Sequence, residues 1–256
     1  MFFEMHPYPN GDDVLADPEL SQMNGSAPRY GIYFSPSPAT SLHELGSRWL
    51  GRDAITGQAL NPQLPAELPH GDWVRATESP RRYGFHATLK PPFRLAEGAF
   101  FEDLQTALHE FAAQREAFEA PKLTVGRLGH FLALTLAQPS GPFSRLAADS
   151  VSAFERFRSP ATEQELEQRL RGSLSLRERE HVIRWGYPYV FDTWKFHMSL
   201  TGSLAPEALP PLEEHLCERF AGFGLQPLLV DSVCIFYEPS PGAPFRVVDR
   251  AMLGSA

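Results

Sequence analysis

The sequence predicts an α+β fold in which one structural unit is used twice. Three observations predict it. The pattern His-x-Thr/Ser occurs at His86-Ala87-Thr88 and again, 111 residues later, at His197-Met198-Ser199. Apolar residues at helical spacing follow each copy, with Phe101, Leu104, Leu108 and Phe111 after the first and Leu209, Leu212, Leu216 and Phe220 after the second. A pair of strand-like runs then closes each half, starting 37 residues after His86 (at Leu123) and 31 residues after His197 (at Leu228). Element order repeats while residue identity outside the motif does not, which is the signature of an old internal duplication.

In chain order, residues 1–27 are rich in Pro, Gly, Asn and Asp and read as a flexible tail. Residues 28–253 read as a single catalytic domain, with halves at about 28–140 and 187–253 and a helical insertion at about 141–186. Tyr30–Phe34 is an aromatic strand stopped by Ser35-Pro36-Ser37-Pro38. A helix follows from about Thr40 to Leu50, with Ser41 as N-cap and Glu44 as its capping-box partner. Residues 51–80 are proline-rich and read as a long connection, either a lid or a plain surface loop.

The first motif then runs as a strand from Arg81 to Lys90 and meets Pro91-Pro92. Proline cannot donate to a ladder, so the strand must stop there or lie at a sheet edge. The helix after it extends to Phe118 and stops near Ala120-Pro121. Leu123–Arg127 and Phe131–Ala137 form a hairpin turning at Leu128-Gly129-His130. In the insertion, Phe143, Leu146, Phe154 and Phe157 mark one helix. The charged run from Thr162 to Arg171 reads as a solvated face, and Ser175 with Glu178 as a capping box. Pro206 opens and Gly222 closes the second half's helix, before strand runs at Leu228–Tyr237 and Pro244–Asp249.

The totals set bounds. The chain carries 31 acidic and 23 basic residues in 256, for a formal charge of −8. That balance opposes sequence-independent binding to long nucleic acid, which needs basic surface. Against this background Arg81 to Arg94 contains four basic residues and no acidic one, a local positive patch suited to a small anion. Cys217 and Cys234 form no disulfide framework or metal-ligand spacing. No apolar run reaches the ~18 residues of a membrane span, and the start lacks the form of a secretory leader. On these features the sequence reads as that of a soluble cytoplasmic protein. The sequence carries no sign of its oligomeric state.

The motif carries the chemistry. In a strand, residues two apart share a face, so His86 lies beside Thr88 and His197 beside Ser199. Phe85, Ala87 and Leu89, and Phe196, Met198 and Leu200, point the other way. Imidazole titrates near pH 6.5. One ring can therefore accept a proton while the other delivers one to a leaving oxygen. The hydroxyls can donate to phosphoryl oxygens. Lys90, Arg82 and Lys195 share the strand parity of the histidines and supply charge. Tyr33 and Arg127 are weaker candidates for lining the site. Paired histidines can also bind zinc, but the sequence has no His-x-His, and the helix bearing His43-Glu44 places Ser47 where a second histidine would stand. The reading has no metal and no cofactor.

At these residues the chain resembles the 2H phosphoesterase superfamily, named for two His-x-Thr/Ser motifs, which includes the RNA 2′,3′-cyclic phosphodiesterase and 2′-5′ ligase-like proteins. Arg82-Tyr83-Gly84-Phe85-His86-Ala87-Thr88-Leu89-Lys90-Pro91-Pro92-Phe93, Trp185-Gly186-Tyr187-Pro188-Tyr189 and Phe196-His197-Met198-Ser199-Leu200-Thr201-Gly202 are similar to the branch found in phosphonate-utilisation operons. The resemblance implies a bilobal fold, with two pseudo-symmetric lobes whose antiparallel sheets flank a central cleft and helices outside. It implies a metal-independent phosphodiesterase acting on a small cyclic phosphodiester. His86 and His197 would be its acid–base pair, and Thr88 and Ser199 its phosphate-oxygen donors. The substrate class is a nucleoside 2′,3′-cyclic phosphate or a phosphoribosyl cyclic phosphate. RNA end processing and non-catalytic binding of a phospho-metabolite are the alternative readings. The Pro91-Pro92 pair departs from the commonest wording of the superfamily.

Overall fold

The structure is a computed structural model that describes residues 27–65 and 68–254. The tail expected over residues 1–27 lies outside the described residues except for its last position. Nine strands and seven α-helices are described. They run β1 (Arg29–Phe34), α1 (Ser41–Leu50), α2 (His70–Tyr83), β2 (Ala87–Phe93), α3 (Phe101–Ala113), β3 (Phe118–Ala120), β4 (Leu123–Leu128) and β5 (Phe131–Leu136). Then come α4 (Gly141–Ala153), α5 (Glu163–Leu170), α6 (Leu176–Trp185), β6 (Met198–Ser199), α7 (Leu209–Phe220), β7 (Leu228–Val230), β8 (Ser232–Glu238) and β9 (Arg246–Met252). The fold is α+β with antiparallel sheets. None of the described helices is long and apolar enough to cross a membrane.

The two copies of the unit do not form one sheet each. The larger sheet has the order β2-β1-β8-β9 and the second has the order β4-β5-β6. The first motif strand, β2, therefore shares a sheet with the closing hairpin of the second half. The second motif strand, β6, is paired with the hairpin of the first half. The helices follow the motif strands: α3 packs on β8 and β9, while α7 packs on β4 and β5. The contiguous halves expected at 28–140 and 187–253 have thus exchanged hairpins. A small ladder between β3 and β7 also joins the halves.

Several local readings hold. Ser175 and Glu178 form the capping box of α6. The β4–β5 hairpin turns at Gly129-His130, where Gly129 takes φ 61°. The N-cap of α1 is Thr40, one residue before the position expected, and its hydroxyl accepts from the His43 amide. Phe118 belongs to β3, because α3 ends at Ala113. The second motif strand is shorter than expected: His197 lies just before the two residues of β6.

The stretch read as a loop over 51–80 contains most of α2, and Arg81, Arg82 and Tyr83 belong to that helix rather than to the strand. Trp73, Ala76, Thr77 and Pro80 form its buried stripe. Pro80 lies inside the helix, where its missing N–H deprives the Ala76 carbonyl of its usual donor. The Gly202 amide takes that carbonyl instead, at 2.7 Å. The proline thus frees an acceptor that ties the tail of the second motif to α2.

Pro91 and Pro92 lie within β2, which tolerates them because it is an edge strand. The pairing of Tyr33 with Thr88 and of Ile32 with Lys90 leaves Leu89 as an extra residue, a β-bulge. Beyond it the faces invert, so Lys90 is directed to the core side with Leu89.

Candidate active site

The chain reaches the first motif through Gly84, at φ 85°, between the end of α2 and β2. A Cβ there would lie 2.5 Å from the Ala54 Cβ, so both the backbone and the space require glycine. The Gly84 carbonyl then meets His86 Nδ1 at 2.9 Å. A carbonyl only accepts, so Nδ1 carries a hydrogen and Nε2 is left to do chemistry. Nε2 lies 3.2 Å from Thr88 Oγ1. The ring stacks on Tyr33 with centroids 4.0 Å apart and planes at 22°. Phe236 and Tyr83 flank it at 5.6 and 6.0 Å.

The second motif repeats the arrangement. His197 Nδ1 lies 3.0 Å from the Lys195 carbonyl, again two residues back. Its ring meets Phe131 edge-on at 5.9 Å. Ser199 pairs across the ladder with Ala133, and Phe131 and Ala133 share its face by alternation. His86, Thr88, His197 and Ser199 are all half-buried, while Phe85, Ala87, Leu89, Phe196, Met198 and Leu200 are buried. The alternation read from the sequence is present in both copies.

The motif strands β2 and β6 are both edge strands, and they adjoin. Three indoles fix them. Trp194 Nε1 donates to the Thr88 carbonyl at 2.9 Å, joining the approach to the second motif directly to the first. Trp49 Nε1 donates to the Leu200 carbonyl at 2.8 Å, and Trp73 Nε1 to the Trp49 carbonyl at 2.8 Å. Thr201, one residue beyond Leu200, accepts from the Leu132 amide at 2.9 Å and extends the pairing past β6. Sequence reading gave none of the four a role, although Thr201 stands within the second motif's wording. The three indoles carry N–H groups that need acceptors when buried.

The remaining candidates fall differently. Tyr33 lies beside His86 as a buried ring under the imidazole. Arg82 comes to this region from the last turn of α2, not along the strand, and donates to the Tyr83 hydroxyl at 2.7 Å. Lys195 contributes its carbonyl to His197, and its side chain is exposed. Lys90 is not with the motif hydroxyls. It is buried, and its ammonium donates to Glu155 at 2.7 Å and to the Val151 carbonyl at 3.1 Å. Burial pushes its pKa down, against the pull of Glu155. Arg127 pairs across the ladder with Leu132, on the face opposite to Ser199, and donates to Glu213 of α7 at 2.6 Å. It faces the helix layer, not the motif.

Residues 88–246 match the family described as "Protein of unknown function (DUF1045)". The chain belongs to the DUF1045 family. This DUF1045 protein is 35% identical over 244 residues to a ribose 1,5-bisphosphate phosphokinase PhnN from Janthinobacterium sp. (strain Marseille), a match covering 93% of this chain and 53% of that protein. It is 36% identical over 223 residues to the protein of the same name from Laribacter hongkongensis (strain HLHK9), covering 86% and 50%. The DUF1045 chain therefore spans about half the length of the curated relatives it matches. Among solved structures, E. coli LigT complexed with phosphate aligns with TM-score 0.40 at 12% identity, over 90% of this chain and 100% of that one. A protein described as a phosphoesterase aligns with TM-score 0.39 at 13% identity, over 89% and 99%.

Proposed function

We propose that this chain is a phosphodiesterase that opens a small cyclic phosphodiester by histidine acid–base catalysis. Water attacks phosphorus while one imidazole takes its proton. The other imidazole protonates the departing ring oxygen, and the ring P–O bond breaks to leave a phosphomonoester. Thr88 and Ser199 donate to the non-bridging oxygens. These steps need no metal.

The observation that carries this reading is the matched pair of Nδ1–carbonyl bonds. They hold two imidazoles in one tautomer, each with a hydroxyl two residues on, on adjoining edge strands. A structural histidine has no need of a second copy in the same setting. For the substrate we favour a phosphorylated ribose bearing a cyclic phosphate, or a nucleoside 2′,3′-cyclic phosphate. The motif wording resembles a phosphonate-utilisation branch, and the relatives' name concerns a ribose bisphosphate. The protein's acidic balance also favours a small metabolite over a nucleic-acid chain.

The test is turnover of a panel of ribose and nucleoside cyclic phosphates in EDTA, with His86→Ala and His197→Ala as controls. The reading expects activity in EDTA and its loss in both variants. Full activity in either variant, or abolition by the chelator, overturns it.

A further inference from the structure

A cavity lies at the far end of β2, where its proline edge meets the helical insertion. It has a volume of about 50 Å³. A water needs about 10–15 Å³ by this kind of measure, so the space holds a few waters or one tetrahedral oxyanion. Five cations line it: Arg29, Lys90, Arg94, Arg158 and Arg169. They come from β1, from β2 and the residue after it, from the segment after α4, and from α5. The sequence showed the two halves of this site without joining them. One is the basic run ending at Arg94, and the other is the charged run from Thr162 to Arg171, read as a solvated face.

The carboxylates there do not balance the cations. Glu165 takes Arg94 in a two-pronged pair at 2.5 and 2.9 Å. Glu238 takes Arg29 at 2.5 Å. Glu155 is shared between Lys90 at 2.7 Å and Arg158 at 2.6 and 2.9 Å. Among the described residues, five positive groups thus stand against three carboxylates. Arg169 donates from Nη1 to the Gly186 carbonyl at 2.8 Å, but its Nε is shielded from solvent with no hydrogen-bond partner. Burial pushes the Arg169 pKa down, and the nearby guanidiniums of Arg158, Arg94 and Arg29 add to this against Glu165. Excess buried positive charge is costly, and an oxyanion in the cavity would supply the missing negative charge.

We propose that this cavity is a second anion site, one that binds the dianion of a phosphate group, either free or as a phosphomonoester. Guanidinium forks match the oxygen geometry of phosphate. Arg29, Arg94 and Arg158 retain side-chain exposures of 18%, 23% and 17%, so the cavity is reachable from solvent. The site stands on the bulge in β2, which separates Lys90 from His86 and Thr88. It does not depend on the acid–base reading.

The test is calorimetric titration of the His86→Ala/His197→Ala double variant at fixed ionic strength, with inorganic phosphate in one arm and ribose 5-phosphate in the other. The expected result is one bound phosphate per chain in the double variant, weakened at least about tenfold by adding Arg158→Gln. Tighter binding of ribose 5-phosphate would assign the site to a phosphorylated metabolite, and equal binding to the phosphate group alone. Arg158→Gln leaves Glu155 paired with Lys90, so the variant should fold, and circular dichroism checks this. Absence of phosphate binding in the double variant, or binding untouched by Arg158→Gln, overturns the proposal whatever the fate of the acid–base pair.

Discussion

His86 and His197, 111 residues apart, make the same hydrogen bond: Nδ1 of each meets the carbonyl two residues earlier, at 2.9 Å on Gly84 and 3.0 Å on Lys195. The bond is made within each motif, so each copy sets its own tautomer without help from the other. The relation between the copies is set separately, by the exchange of hairpins that brings β2 and β6 together as edge strands. Local chemistry and long-range topology are thus divided between different residues, and substitutions should separate them.

Replacing either imidazole should remove the proposed proton transfer and little else. His86→Ala and His197→Ala are each expected to lower kcat by about 10²–10⁴ with KM changed far less. His86→Ala also loses the Tyr33 stack, which costs about 0.5–1.5 kcal/mol. Steady-state kinetics on a cyclic phosphate, with thermal melts of both variants, check this. Unequal losses in which one variant stays near wild type would assign a structural role to that histidine.

Gly84→Ala tests whether the ring's carbonyl partner matters. The substitution forces a side chain into φ 85° and against Ala54. The expected cost is about 1–3 kcal/mol, with kcat falling in the fraction that remains folded because the Gly84 carbonyl moves off Nδ1. Measuring kcat with urea midpoints separates the two effects. A variant that loses stability but keeps full kcat would show that the carbonyl does not orient His86.

The motif was legible because it is local. Alternation alone puts His86 and Thr88 on one face, and burial of Phe85, Ala87 and Leu89 follows from it. Capping at Ser175 and the turn at Gly129 are likewise decided by neighbours. The failures are long-range. Nothing in the sequence marks the bulge at Leu89, so parity counting placed Lys90 with the phosphate donors when it belongs to Glu155. Hairpin exchange depends on pairing between residues far apart in the chain, such as Arg29 with Glu238 and Ala133 with Ser199. The helix over His70–Tyr83 was hidden by Pro80 and by its charged residues, although Trp73, Ala76, Thr77 and Pro80 show its buried stripe. Arg127 was misplaced because a strand shows which residues share a face but not which face meets a helix.

Lys90 offers the sharpest contrast between the sequence reading and the structure. A phosphate ligand replaced by methionine would raise KM and leave stability alone. A buried ion-pair partner should do the reverse. Lys90→Met leaves Glu155 with Arg158 and strips the Val151 carbonyl of a donor, a loss of about 1–3 kcal/mol. The kcat/KM for a cyclic phosphate should stay within about twofold for folded protein. Chemical denaturation and kinetics on one preparation decide it. A tenfold rise in KM at unchanged stability would return Lys90 to the site.

Glu165 gives the fold a defined acid limb. Burial alone would push its pKa up. The two-pronged hydrogen bond from Arg94, the Thr162 amide and the charges of Arg94 and Arg169 outweigh that and lower it from 4.5 to about 2. A carboxyl whose folded pKa is depressed contributes stability above its unfolded value and loses it as pH falls through the folded one. The contribution should therefore be complete above about pH 4.5 and vanish towards pH 2. Its size is about 2 kcal/mol once screening at the part-exposed Arg94 is allowed for. Urea midpoints at pH 7, 4.5 and 2.5 should fall more steeply for wild type than for Glu165→Gln, whose side chain does not ionise. Parallel profiles for the two proteins would mean that the Arg94–Glu165 pair contributes nothing to the junction between β2 and α5.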